Sequence, residues 1–251
     1  MDFENMIADH KALPKVVSYD EWLVERKRLL VKEKELTHHR DAVNAERRRL
    51  PAVQIEKTYI FSGPDGQVTL LDLFSGRRQL IVYHFMFDPD WQDGCPVCSL
   101  TADYMGNLSH LHAKDVSLVL VSRAPIEKLQ RYKTRMGWDV PWYSSFGTDF
   151  NYDFHVTLDK SHGSTEHNYQ DATSIAERGS IEAHGTSVFL REGDCIFHTY
   201  SCYVRGDEVL MGAYTWLDLT PYGRQEGWEE PHKSLGASHP WPRRHDEYDR
   251  P

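Results

Sequence analysis

Cys95-Pro96-Val97-Cys98 places two thiols one helical turn apart, where an apolar run ends and a helical pattern begins. Leu80 to Phe87 is rich in β-branched and aromatic residues and reads as a buried strand. A short loop, Asp88 to Gly94, leads to the thiols, and Leu100, Met105, Leu108 and Leu111 then recur near helical spacing over Ser99 to Ala113. A cysteine at a helix N-terminus meets unpaired backbone N–H groups and roughly half a positive charge from the helix dipole. Such sites lower a thiol pKa from about 8.5 to between about 3.5 and 7.5. Pro96 suits the first helical turn, where its missing N–H has no partner to lose. Cys98 is placed to close a disulfide on Cys95, so the spacing points to dithiol–disulfide chemistry.

Two other readings stay open. The pair could be half of a zinc site, or a chemically inert pair. Zinc needs two further ligands; His84, His110 and His112 are the nearest, and the last two are two residues apart on a helix and point in different directions. Cys195 and Cys202 lie seven apart in one predicted strand, so they fall on opposite faces and make a poor ligand pair. They are expected to be small buried hydrophobes. No metal and no cofactor are expected, since no Gly-rich dinucleotide fingerprint is visible.

The elements that hold the thiols can be read outward. Val53 to Phe61 alternates as a strand, Gly63-Pro64-Asp65-Gly66 is a turn, and Val68 to Leu73 is a short strand or helix start. Asp115 to Ser122 is a second buried strand, and Ala124-Pro125 opens a helix from Ile126 to Met136 with Gly137 as its cap. Strand–helix–strand–helix implies a parallel pair. Trp138 to Ser144 reads as extended. The polar, His-rich stretch from Ser145 to Gly185 is expected to be a lid, a binding loop or a mobile insertion. A hairpin follows, Thr186 to Leu190 and Ile196 to Tyr203 about the turn Glu192-Gly193-Asp194, and Tyr214 to Leu219 opens a last helix or strand.

Ser18-Tyr19-Asp20-Glu21 is a capping box for a charged helix running to about Leu50. Trp22, Leu29, Leu36, Val43 and Leu50 recur every seven residues, fewer apolar positions than a coiled coil needs. This arm either lies on its own domain or embraces a second subunit, which makes a homodimer an expectation. The 251 residues carry a net charge of −9, which argues against nucleic-acid binding. The clusters Arg47-Arg48-Arg49 and Arg243-Arg244 read as solvated faces. Four cysteines are too few for a disulfide-stapled secreted scaffold. No signal peptide and no run of about 20 apolar residues is seen, so a soluble, cytoplasmic protein without membrane partners is expected.

The order strand, C-x-x-C, helix, strand, helix, hairpin is that of the thioredoxin fold. Particular strings go further: Leu80 to Phe87, Pro89-Asp90-Trp91, Gly94-Cys95-Pro96, Cys98-Ser99, Val121-Ser122-Arg123-Ala124-Pro125, Arg135-Met136-Gly137-Trp138, Pro141-Trp142-Tyr143-Ser144-Ser145, Asp149 to Phe154, Phe197 to Ser201 and Asp218-Leu219-Thr220-Pro221. With Gly223-Arg224, these closely resemble DUF899, a bacterial family of thioredoxin-like proteins of unknown function, from about Arg48 to Arg224. The resemblance implies an α/β, thioredoxin-like fold with a central mixed sheet flanked by helices. Residues 1–50 would form the N-terminal helical arm, 51–220 the thioredoxin-like domain and 221–251 an irregular C-terminal tail.

Departures from better-known thioredoxin-fold proteins bear on the chemistry. Peroxiredoxins carry a Pro-x-x-x-Thr-x-x-Cys turn, whereas here Pro89 is six residues ahead of Cys95 and Gln92 stands in the Thr place. The cis-proline that holds partner peptides in thioredoxins is matched by Thr186, which would bring a hydroxyl to the site instead. Asp88, Asp90 and Asp93 would raise a nearby thiol pKa and oppose the dipole. Trp91 is a candidate to pack over the thiols, and Arg123 either approaches Cys95 or forms an ordinary ion pair. His84 and His198 are weaker candidates, as are Tyr143, Tyr152 and Tyr200. The function expected is a thiol–disulfide oxidoreductase with Cys95 as nucleophile and Cys98 as resolving thiol, acting on an unidentified thiol, disulfide or redox protein. The alternatives are a peroxiredoxin-like peroxide reductase and a non-catalytic binding or scaffold protein.

Overall fold

A computed structural model describes residues 14–226, 228 and 241–248. Two units separate along the chain, one of residues 51–214 and 240–251 and the other of residues 1–50 and 215–239. In the larger unit an eight-stranded sheet has the order β1 (Val53–Ile55), β12 (Cys195–Tyr203), β11 (Gly185–Glu192), β4 (Gln79–His84), β5 (Val116–Ser122), β6 (Trp142–Ser144), β2 (Ile60–Gly63) and β3 (Gly66–Thr69). Its centre is β4 (Gln79–His84), parallel to β5 (Val116–Ser122) on one side and antiparallel to β11 (Gly185–Glu192) on the other. β11 turns through Gly193 into β12 (Cys195–Tyr203), giving the hairpin the sequence predicts. The four strands β12-β11-β4-β5, with helices α2 (Pro96–Asp103) and α4 (Ile126–Met136) inserted around β5, form the thioredoxin-like arrangement. The remaining strands extend this sheet: β1 (Val53–Ile55) beside β12, and β6 (Trp142–Ser144), β2 (Ile60–Gly63) and β3 (Gly66–Thr69) beyond β5.

Alternation along β4 divides the core in two. Leu80 and Val82 join Val119, Val121, Phe150, Phe154 and Phe189 on one face. Tyr83 packs on the opposite face with Phe85, Phe87, Cys98, Leu129, Tyr132 and Trp142. Burying one such side chain contributes about 1.5–3 kcal/mol. The second face is the one that carries the thiols. Its rings meet edge to face, as Phe87 does with Tyr132 at 5.4 Å and Tyr132 with Trp142 at 6.2 Å.

Several boundaries differ from the expected ones. The helix read from Ser99 to Ala113 is two pieces, α2 and the short α3 (Ser109–His112), because Gly106 takes φ +51° between them. The strand read from Val53 to Phe61 is broken into β1 and β2, which lie at different places in the sheet. The stretch from Ser145 to Gly185 holds short elements: α5 (Phe150–Asp153), β7 (Thr157–Leu158), β8 (Glu166–His167), β9 (Gln170–Asp171), α6 (Thr173–Ala176) and β10 (Ile181–Glu182). Leu158, Ala172 and Ala176 give it a small apolar cluster. Cys195, expected to be buried, is exposed at the hairpin end of β12, where the edge of the turn offers no core to enter.

The smaller unit contains α1 (Tyr19–Arg47), a helix of 29 residues started by the predicted capping box between Ser18 and Glu21. No residue of α1 is buried, and Trp22, Leu29, Leu36 and Val43 are all exposed. α7 (Gly212–Leu217) confirms a helix near the predicted last element. Among the described residues no helix is long and apolar enough to cross a membrane.

Candidate active site

The strand β4 ends at His84, but Phe85 and Phe87 stay buried before the chain turns out. The Cys95 N–H bonds back to the Met86 carbonyl at 3.0 Å, closing residues 87–94 into a loop that delivers Cys95 to the start of α2. Gly94 is required there. A Cβ on Gly94 would lie 2.6 Å from the Phe85 ring, so only glycine lets the loop pass over the aromatic cluster. Lys128 pins the same loop from α4, its ammonium donating to the carbonyls of Pro89 and Trp91.

Cys95 is the N-cap of α2 and Pro96 takes the first helical position, as the spacing predicts. Both cysteines are free thiols, Cys95 half-buried and Cys98 fully buried. Their environments pull them apart. The Cys98 thiol donates a hydrogen bond to the Cys95 sulfur, and this is the largest influence holding Cys95 down to about 6. Burial opposes it. The backbone N–H groups of Cys98 and Val97, and the positive charge of Arg244, act in the same direction as the Cys98 thiol. Cys98 is pushed up, first by its own burial and then by its bond to Cys95. The Tyr83 hydroxyl and the Met86 N–H, the latter at 3.4 Å, partly offset this as donors to its sulfur. Tyr83 shares that proton with the Thr101 hydroxyl, 3.3 Å away on α2.

Arg244 carries a role that the sequence reading did not give it. Its guanidinium donates twice to the Gly94 carbonyl, at 2.8 and 3.1 Å, and is held by Glu247 at 2.7 Å. The segment 241–248 is fastened further by Asp246 to Arg135 on α4 and by His245 to Asp103 at the end of α2. A separation of 150 residues between Arg244 and Gly94 leaves no local pattern to find. The pair Arg243-Arg244 reads as a solvated face when only composition is considered.

The other expected residues are placed as follows. Arg123 forms the ion pair: its guanidinium lies 2.7 Å from the buried carboxylate of Glu182 and 3.9 Å from Asp88. Trp91 is exposed at 37 %, and its carbonyl accepts from Lys128. The opposing charge expected from the acidic loop is answered locally: Asp93 pairs with Arg135 at 2.8 Å and Asp88 lies near Arg123. Thr186 pairs with Tyr83 across β11 and β4, and its hydroxyl is buried with no partner among the described residues. His84 points away from Tyr83 and stacks near Phe150 and Phe154 on the other face. It joins a buried chain from its Nε2 through the hydroxyls of Ser187 and Ser201 to the Nε2 of His198, at 2.8, 2.8 and 2.7 Å. Burial lowers His84 to about 3, so it stays neutral. Tyr143 packs against the core, and Tyr152 stacks on His162. Among the described residues no three His, Cys, Asp or Glu side chains gather as a metal site.

The family model for a bacterial protein of unknown function, DUF899, matches residues 11–248, and the chain belongs to that family. Among curated proteins none matches it. Solved structures similar to it include peroxiredoxin Q of Xanthomonas campestris, 18% identical, covering 65% of this chain and 94% of that one at a TM-score of 0.39. Peroxidoxin BcpB of Mycobacterium tuberculosis is 14% identical, with 64% and 94% covered and a TM-score of 0.39. A putative protein disulfide isomerase of Bacteroides thetaiotaomicron is 17% identical, with 71% and 95% covered and a TM-score of 0.38. The fold of this chain stands on its strand order.

Proposed function

Starting from a DUF899 chain with two unlike thiols at the head of a helix, we propose that it is a thiol–disulfide oxidoreductase. The observation that carries this reading is the asymmetry of the pair: Cys95 at about 6 and half-buried, Cys98 pushed up and fully buried. At neutral pH Cys95 is largely thiolate and is the nucleophile. It attacks one sulfur of a substrate disulfide, forms a mixed disulfide and expels the other substrate sulfur as a thiolate. The negative charge that held the Cys98 proton is then gone from Cys95. Cys98 gives its proton to the expelled substrate thiolate and attacks the Cys95 sulfur, releasing the second substrate sulfur as a thiolate and closing the Cys95–Cys98 disulfide. Two electrons pass to the substrate, and an external dithiol returns them. Tyr83 and the Met86 N–H donate to the sulfur of Cys98 as it becomes an anion.

Cys98→Ser removes the resolving thiol and leaves the nucleophile, so with oxidised glutathione it should accumulate a mixed disulfide on Cys95, read by intact mass and peptide mapping. Cys95→Ser should form none at Cys98. Glutathione found on Cys98 in place of Cys95, or on neither, would sink this assignment.

Peroxide reduction is the second reading, favoured by one observation: Arg244, bonded to the carbonyl of Gly94 next to Cys95, brings a positive charge to that end of the site. Rapid sulfenic acid formation at Cys95 on adding hydrogen peroxide, before any disulfide, would favour it.

A further inference from the structure

An extended polypeptide segment binds by strand addition where its main chain can pair with open backbone on the receptor. The backbone beside Cys95 is already committed. The Cys95 N–H donates to the Met86 carbonyl at 3.0 Å, and the Cys95 carbonyl accepts from the N–H and the hydroxyl of Ser99, both at 2.9 Å. The Gly94 carbonyl takes two bonds from Arg244, and those of Pro89 and Trp91 accept from Lys128. The Met86 N–H donates to the Cys98 sulfur, and the Phe87 carbonyl accepts from the Ala124 N–H at 2.8 Å. The chain entering β11 is committed as well. Ala183 stands two residues before Gly185, the partner of His84, as Met86 stands two residues after His84. The Ala183 N–H donates to the Val156 carbonyl at 2.8 Å, and Ile181 and Glu182 pair with Leu158 and Thr157 of β7. Glu182 in turn holds Arg123, whose guanidinium lies 3.9 Å from Asp88 at the start of the thiol loop. A strand of the chain's own insertion therefore takes up the backbone that leads into β11.

We propose, resting on the oxidoreductase reading of Cys95 and Cys98, that the substrate is the disulfide of a low-molecular-weight thiol and not a disulfide within a polypeptide. Cys95 is half-buried, so a disulfide sulfur that reaches it brings whatever flanks that sulfur against the segments just described. A polypeptide flank arrives with N–H and C=O groups that meet partnered backbone, and they lose water without gaining a bond. The disulfide of a small thiol brings few such groups, and its ends stay in solvent. The Cys95 thiolate and the Cys98 thiol give two electrons and one proton to R–S–S–R. It leaves as one thiolate and one thiol, and the Cys95–Cys98 bond closes.

Two disulfides built on the same cysteine sulfur test this: the dimer of N-acetylcysteine amide, and the dimer of an uncharged, end-capped nonapeptide with its cysteine at the centre. Each is added in excess to the reduced full chain, and loss of the Cys95 thiol is followed by acid quench, alkylation and mass spectrometry. Dividing each rate by that of the same disulfide with dithiothreitol removes differences in intrinsic reactivity. On this scale the short dimer should react about 100-fold faster than the nonapeptide dimer, as two unmade main-chain bonds at about tenfold each imply. A nonapeptide dimer that reacts as fast as the short one, or faster, would overturn the substrate inference and leave the oxidoreductase reading standing. A Cys95 thiol left unreacted by both dimers would remove that reading and this inference with it.

Discussion

The difference between the two thiols comes from which of them owns the donors. Cys95 receives hydrogen bonds from Cys98 and two backbone N–H groups and lies near one cation, while Cys98 is a donor to its neighbour inside the core. A thiolate is stabilised by such bonds more than a thiol is, which lowers the pKa of the acceptor and raises that of the donor. The ranking of influences predicts the ranking of variants. Cys98→Ala should raise the Cys95 pKa more than Arg244→Gln does, because the Cys98 bond is the largest influence and Arg244 the least of the favourable ones named. Arg244→Gln should move it up too, by the smaller amount. The pH dependence of Cys95 alkylation, followed by mass spectrometry, measures both. An Arg244→Gln shift as large as that of Cys98→Ala would contradict the account.

Elements set these positions through close approach. The loop before α2 crosses the Phe85 ring at Gly94 and is tied by Cys95 N–H to Met86, by Lys128 and by Arg244. Gly94→Ala forces a Cβ into a buried ring, and overpacking of this kind costs about 1–3 kcal/mol. Its urea midpoint should fall while the slope stays the same; an unchanged midpoint would refute the close-approach argument. Much of this scale is legible in the sequence. The Ser18 capping box, Pro96 at the first helical position, α4 from Ile126 to Met136 and the β11–β12 hairpin are all local signals, and all are present. What is not legible is long-range. Arg244 reaches Gly94 across 150 residues, and Arg123 turns to Glu182 across 59, with no periodicity to announce either. Gly106, left-handed at φ +51°, lies in the break between α2 and α3, which the apolar spacing of the stretch does not announce. The pairing of Tyr83 with Cys98 follows from a helix packing onto a strand, which spacing along the chain does not encode.

Over the whole larger unit, buried carboxyl groups set a pH dependence of stability. Burial raises Asp207 to about 7; it is fully buried, its own backbone N–H opposes the rise and Glu208 adds to it, and His184 lies 3.8 Å away and is itself held down to about 4. Glu182 is also raised to about 7, by burial, against the opposing charge of Arg123. For both, the folded chain binds a proton that the unfolded chain releases near pH 4. The folded state therefore holds more protons between about pH 4 and 7, and stability falls as the pH rises through that window. Asp207→Asn keeps the shape without the charge. It should stabilise the protein at pH 8, by an amount on the order of 4 kcal/mol at most, and change little at pH 4. Urea unfolding at the two pH values gives the comparison; equal effects at both would show that Asp207 is ionised in the fold. The Glu182 contribution should remain in the variant as a residual slope.

The central claim, that Cys95 and Cys98 are a working dithiol, is tested most directly by equilibrating the protein in a series of glutathione buffers and reading the pair by alkylation and mass spectrometry. The account predicts one two-electron transition between about −300 and −120 mV, the span of dithiol oxidoreductases, with Cys95 and Cys98 oxidised together. Thiols that remain reduced across the whole series would contradict it.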